Sequence, residues 1–198
     1  MPFSSKRPDI YNFKFQYLHA ALVDSIYLYY FCEFLKNSQD FIYIITLDMI
    51  QEYLQLVKVD SEASFNFAHE IIAHLNSIKD SKYFENCLAI LFNLITNVEV
   101  YERVIEMEAF MNLLQIMLRC EGTNLLSTLN FIDKALSIKS TNVLALGLIT
   151  NNLVDSIIEC LSFSDVYFSP IASIFSQIVE TTNICELNLV SYCKYLII

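Results

Sequence analysis

Apolar residues recur at helical spacing along most of this chain, and polar clusters break the pattern roughly every twenty residues. The clearest pair of elements lies within residues 87–118. Leu88, Leu91, Leu94 and Ile95 stripe one helix, Val104, Met107, Phe110, Leu113, Leu114 and Met117 stripe a second, and Asn97 marks the break. Glycine occurs only at 122 and 147 and proline only at 2, 8 and 170, so turns must be made by Asn, Asp, Ser and Lys clusters. These fall at 36–40, 58–61, 77–82, 97–99, 119–124, 137–142, 162–165 and 181–183. The spacing predicts about nine helices, over 12–36, 41–57, 62–77, 82–96, 100–119, 124–137, 142–162, 166–180 and 184–197. Asp60 or Ser61 is placed to cap the third helix, Thr123 or Asn124 the sixth, and Pro170 suits a first helical turn. The one period-2 run, Tyr11-Phe13-Phe15-Tyr17, continues into the helical series Leu18, Leu22 and Ile26, so no strand is expected.

The pattern of 87–118 recurs at 146–161 and at 44–57. Repetition of helical units of this size implies stacking, because each unit buries its apolar face only against its neighbour. Asn93-Leu94, then Val104-Ile105, Phe110, Leu113-Leu114 and Met117 resemble the armadillo and HEAT-type repeats, with Ile50 and Leu153 in the place of Phe110. The resemblance spans about residues 41–198 and implies an all-α fold, a short right-handed α-solenoid. It departs from the family where a glycine precedes the last helix of a repeat, since Asp48, Glu108 and Asn151 stand there. In the family the last helix lines a concave, protein-binding face. Carried onto this chain, Ile50, Tyr53, Leu54, Phe110, Leu113, Leu114, Leu153, Ile157 and Leu161 face inward. Gln51, Gln55, Asn112, Gln115, Arg119, Asp155 and Glu159 face out and become the candidate binding residues.

Composition sharpens this picture. Of 198 residues, 55% are hydrophobic and 17% charged, which leaves more apolar surface than a small solenoid readily covers and points to a protein partner. The predicted first helix is apolar on nearly all sides over its second half, so burial on nearly all sides is expected, with Tyr27 and Tyr30 as further interface candidates. The net charge of −10, with 12 Lys plus Arg against 22 acidic residues, disfavours direct binding of nucleic acid or anionic membrane. The basic pair Lys6-Arg7 sits in an expected flexible tail over residues 1–10, ahead of a single helical-repeat domain over 11–198. No membrane span and no apolar signal-peptide core is expected. Six cysteines lie within helical patterns without a CxxC spacing, which suits reduced core thiols in a cytoplasmic or nuclear protein.

Chemistry-bearing motifs are scarce. His69 and His74 are five residues apart, about 140° around a helix, where two zinc ligands on one face need four. Two glycines leave no phosphate-cradling loop, and no cofactor, metal or small-molecule substrate is expected. Glu99, Glu102 and Glu106 share one helix face, expected to be solvated. The chain has no Trp, against the Trp and Asn ladders by which armadillo importers hold nuclear signals. The expected role is a non-enzymatic adaptor or subunit of a larger assembly. The alternatives are a chaperone cofactor resembling the armadillo-type Hsp70 nucleotide exchange factors and, in another class, an all-α enzyme.

Overall fold

A computed structural model of the chain describes residues 26–37, 40–56, 59–78, 83–138 and 142–181. Among these residues the structure is all-α, with helices packed against one another and no strand. The helices are α1 (Ile26–Asn37), α2 (Asp40–Leu56), α3 (Ser61–Ile78), α4 (Phe84–Ile95), α5 (Val98–Ile105), α6 (Glu108–Met117), α7 (Gly122–Leu136), α8 (Val143–Thr150), α9 (Leu153–Glu159) and α10 (Phe168–Thr181), with 3-10 turns at Cys160–Ser162 and Asp165–Tyr167. The expected helix over 184–197, the tail over 1–10 and the first half of the 12–36 helix lie outside the described residues.

The chain divides into two compact units, the first ending at Phe67 and the second beginning at Ala68, within α3. In the first unit α1 packs on α2. Leu28, Phe31, Cys32 and Leu35 of α1 and Tyr43, Leu47, Ile50 and Tyr53 of α2 are buried, and Phe31 meets Tyr53 edge-on at 5.8 Å. Among the described residues of α1, Tyr30 and Phe34, one turn apart, are exposed. Asp48 marks no bend, because α2 runs unbroken through it. Asp60 does cap α3, its Oδ1 accepting the Ala63 N–H at 2.9 Å.

The second unit has a regular internal order. Asn97 caps α5, its side chain accepting the Glu99 N–H at 3.0 Å. Two of the expected helices are each broken into two. The 100–119 helix is interrupted at Met107, whose extended backbone precedes α6. The 142–162 helix is interrupted at Asn152, which adopts the left-handed conformation (φ 56°, ψ 26°) and turns the chain through 80°. Asn reaches this region at lower cost than most residues, so the bend is made without glycine, one residue after Asn151. The cap expected from Thr123 or Asn124 is not made, since α7 begins at Gly122 after an extended Glu121.

Helices α5, α6 and α7 are thus short, short and long, and α8, α9 and α10 repeat that order. Helix α5 packs on α8, α6 on α9, and α7 between α4 and α10. Helices α7 and α10 run parallel. Tyr167, just before α10, donates its hydroxyl to the Gly122 carbonyl at the start of α7 (3.2 Å), and Gln177 near the end of α10 donates to the Asp133 carboxylate near the end of α7 (2.6 Å). The core is close-packed around Phe84, Leu91, Tyr101, Phe110, Leu113, Leu114, Leu125, Ile132, Ile157, Ile171 and Ile174, all with essentially no exposure. The Tyr101 hydroxyl donates to the Ala135 carbonyl at 3.0 Å, and burial pushes its phenol above the ordinary value.

Candidate functional site

The residues expected to face inward are buried in whole or in part. Ile50, Tyr53, Phe110, Leu113, Leu114, Leu153 and Ile157 are buried, and Leu54 and Leu161 are half-buried. Phe110, Met111, Leu114 and Met117 of α6 have counterparts in Leu153, Val154, Ile157 and Cys160 in and just after α9, all buried. Of the outward residues, Gln55, Asn112, Gln115, Arg119, Asp155 and Glu159 are exposed and Gln51 is half-buried. The packing of α6 on α9 brings Asn112, Gln115, Asp155 and Glu159 onto neighbouring helices. Gln51, Gln55 and Tyr30 belong to the first unit, and the Tyr27 side chain lies outside what is described.

A second polar surface lies on the long helices. Between α4 and α7 runs a shallow groove of about 200 Å³. Leu88, Ala89, Phe92 and Phe131 form its apolar part, and Glu85, Asn93, Ser127, Asn130 and Lys134 its polar part. Phe131 is held edge-on to Phe92 at 6.4 Å and tilted against Phe110 at 6.3 Å, so the aromatic part is fixed by the core beneath. The side-chain amides of Asn93 and Asn130 make no hydrogen bond to another described residue, and each keeps two N–H donors and a carbonyl acceptor for a ligand. Sequence reasoning missed this pair because polar residues on a solvent-facing helix stripe look alike until two helices are set side by side.

A wider hollow of about 400 Å³ lies between α8 and the α5–α6 corner, lined by Glu106, Glu108, Met111, Leu146, Gly147 and Asn151 among others. Gly147 allows the close approach there, as a side chain at this position would run into the Met111 methyl. Glu99 and Glu106 are exposed and Glu102 half-exposed, forming a solvated acidic face.

No metal-competent group of three or more His, Cys, Asp or Glu side chains occurs among the described residues. His69 is exposed and His74 half-buried on α3. Cys32, Cys87, Cys120 and Cys160 are buried and stand outside any disulfide. Cys160 donates to the Ser156 carbonyl at 3.2 Å. Burial, with a smaller contribution from the Glu159 charge, pushes its thiol up to about 11, so at neutral pH it is the un-ionised, poorly nucleophilic form. No single helix among the described residues is long and apolar enough to cross a membrane. The chain matches no protein-family model, no curated protein and no solved structure.

Proposed function

We propose that the chain is a non-enzymatic protein-interaction module whose second unit is a short run of armadillo-like three-helix layers. The repeated short, short, long order of α5–α7 and α8–α10, and the parallel setting of α7 on α10, support this reading. On it, the third helices α4, α7 and α10 form the binding face, and an extended segment of a partner protein lies across the groove between α4 and α7. The observation that carries the proposal is the pair of uncommitted amides, Asn93 and Asn130, above a fixed aromatic base. An extended peptide has main-chain N–H and C=O groups that remain unpaired on one side, and an amide side chain can meet both.

Isolation of peptide ligands from a random display library on the intact protein, followed by titration against variants, tests this. Asn93→Ala with Asn130→Ala should weaken selected peptides at least about tenfold, a loss near 1.4 kcal/mol, while the thermal melting curve stays in place because neither side-chain amide hydrogen-bonds another described residue. Gln115→Lys and Asp155→Lys probe the α6–α9 face, the site favoured by the sequence pattern. Loss of binding there, with the Asn93 and Asn130 double variant unaffected, would move the site to that face. If no selected peptide responds to either set, the extended-segment reading fails.

A further inference from the structure

The three most exposed large apolar side chains among the described residues sit in one turn: Phe163, Val166 and Phe168, at 67%, 62% and 57%. Chance scatter of surface apolar residues gives isolated ones; three within a single turn form a patch. The turn is also built to hold them there. The Phe163 N–H donates to the Cys160 carbonyl (3.1 Å), the Tyr167 N–H to the Ser164 carbonyl (3.2 Å), and the Ser164 hydroxyl accepts the Val166 N–H (3.3 Å). Tyr167 is buried between its exposed neighbours and hydrogen-bonds Gly122, and Pro170 is buried in the first turn of α10. The exposed side chains therefore project from an ordered loop, and little conformational freedom is left to lose on binding.

The charges around the patch have one prevailing sign. From Ser140 to Thr181 the chain contains no Lys, Arg or His, but it contains Asp155, Glu159, Asp165 and Glu180. Asp165 is within the turn, Glu159 directly precedes the Cys160–Ser162 segment, and Glu121 precedes the Gly122 carbonyl that anchors Tyr167; all three are exposed. One described cation, Arg119, follows Leu118, whose carbonyl accepts from the Cys160 thiol at 3.8 Å. An apolar patch with this border repels anionic lipid and nucleic acid and attracts cations.

We propose that this turn is a docking knuckle for a helical segment of a partner protein whose apolar stripe is bordered by lysine and arginine. It is independent of the α4–α7 groove and does not rest on the reading of that groove. The test is fluorescence anisotropy of the full chain with three labelled peptides: an amphipathic helix of leucine and lysine, the same helix with glutamate for lysine, and the same helix with serine for leucine. The leucine–lysine peptide should bind at least about tenfold more tightly than either twin at about 0.15 M ionic strength. Phe163→Ser with Phe168→Ser should abolish that preference and leave the melting curve unchanged, whereas Asn93→Ala with Asn130→Ala should leave it intact. Should the double serine variant melt early, Val166→Lys places a positive charge in the patch at an exposed site and should weaken the same peptide by a similar factor. Equal binding of the glutamate twin, or wild-type binding by both turn variants, overturns the proposal. It is also overturned if the turn variants instead abolish concentration-dependent self-association, which makes a second copy the occupant. Loss of flotation with phosphatidylcholine vesicles in the variants, with peptide binding unchanged, would likewise replace the protein partner with a lipid surface.

Discussion

Gly147→Ala is a sensitive probe of how α8 sits on α6, because two effects of comparable size oppose each other there. Within α8, alanine is favoured over glycine by about 1 kcal/mol through helix propensity and a less free unfolded chain. Against this, the new methyl would occupy the space of the Met111 methyl. Met111 is buried at 7% exposure, so its thioether must swing to another rotamer within a packed region, and overpacking of this kind costs about 1–3 kcal/mol. The clashing atom is the end of a flexible side chain, which puts the cost toward the lower part of that range. The single substitution should therefore lie between neutral and about 2 kcal/mol destabilising. In a Met111→Ala background the obstacle is gone, and Gly147→Ala should stabilise by up to about 1 kcal/mol. Equilibrium urea denaturation of the four proteins, with the urea dependence held equal, gives the coupling energy directly, expected at about 1–3 kcal/mol. Additive effects, with Gly147→Ala acting alike in both backgrounds, would refute the placement of α8 over Met111.

Substitutions at four further positions test other parts of the fold. Leu114→Ala should cost about 2–5 kcal/mol because Leu114 has no exposure, and Gln115→Ala, exposed beside it, less than about 0.5 kcal/mol; equal costs in denaturant titration would contradict the phase of α6. Asn152→Gly should be neutral or mildly stabilising, and Asn152→Val should lose about 1–2 kcal/mol, because a β-branched side chain resists the left-handed backbone that turns α8 into α9; if both melt alike, the bend is made elsewhere. The Cys160 thiol, raised from its ordinary 9.0 to about 11, keeps its proton in the folded chain while the unfolded chain releases it. Stability should fall as pH rises from about 9 to about 11, with no such contribution below that window, and Cys160→Ala should flatten that part of the melting-temperature profile.

Helix class and phase were readable from the sequence because they depend on local periodicity. Phe110, Leu113, Leu114 and Met117 fall on one stripe whatever packs against them. The breaks at Met107 and Asn152 were not, because neither uses glycine or proline. One is an extended methionine, and the other relies on the tolerance of asparagine for positive φ. The groove pair Asn93 and Asn130 depends on α4 lying beside α7, which no local pattern encodes. Phe163, Val166 and Phe168 read as core residues by type and are exposed because Tyr167, chemically similar, occupies the buried position between them.

Among the described residues, the hydrogen bonds that tie distant parts of the second unit together share a narrow reach. Tyr101 to Ala135, Cys160 to Leu118, Gln177 to Asp133 and Tyr167 to Gly122 span 34, 42, 44 and 45 positions. A limit of this kind keeps the loop-closure entropy of each contact small, which favours rapid folding in local steps. It also sets the mechanical character of the molecule. Under tension, contacts of this reach should yield in a series of small force steps, each the release of about one layer.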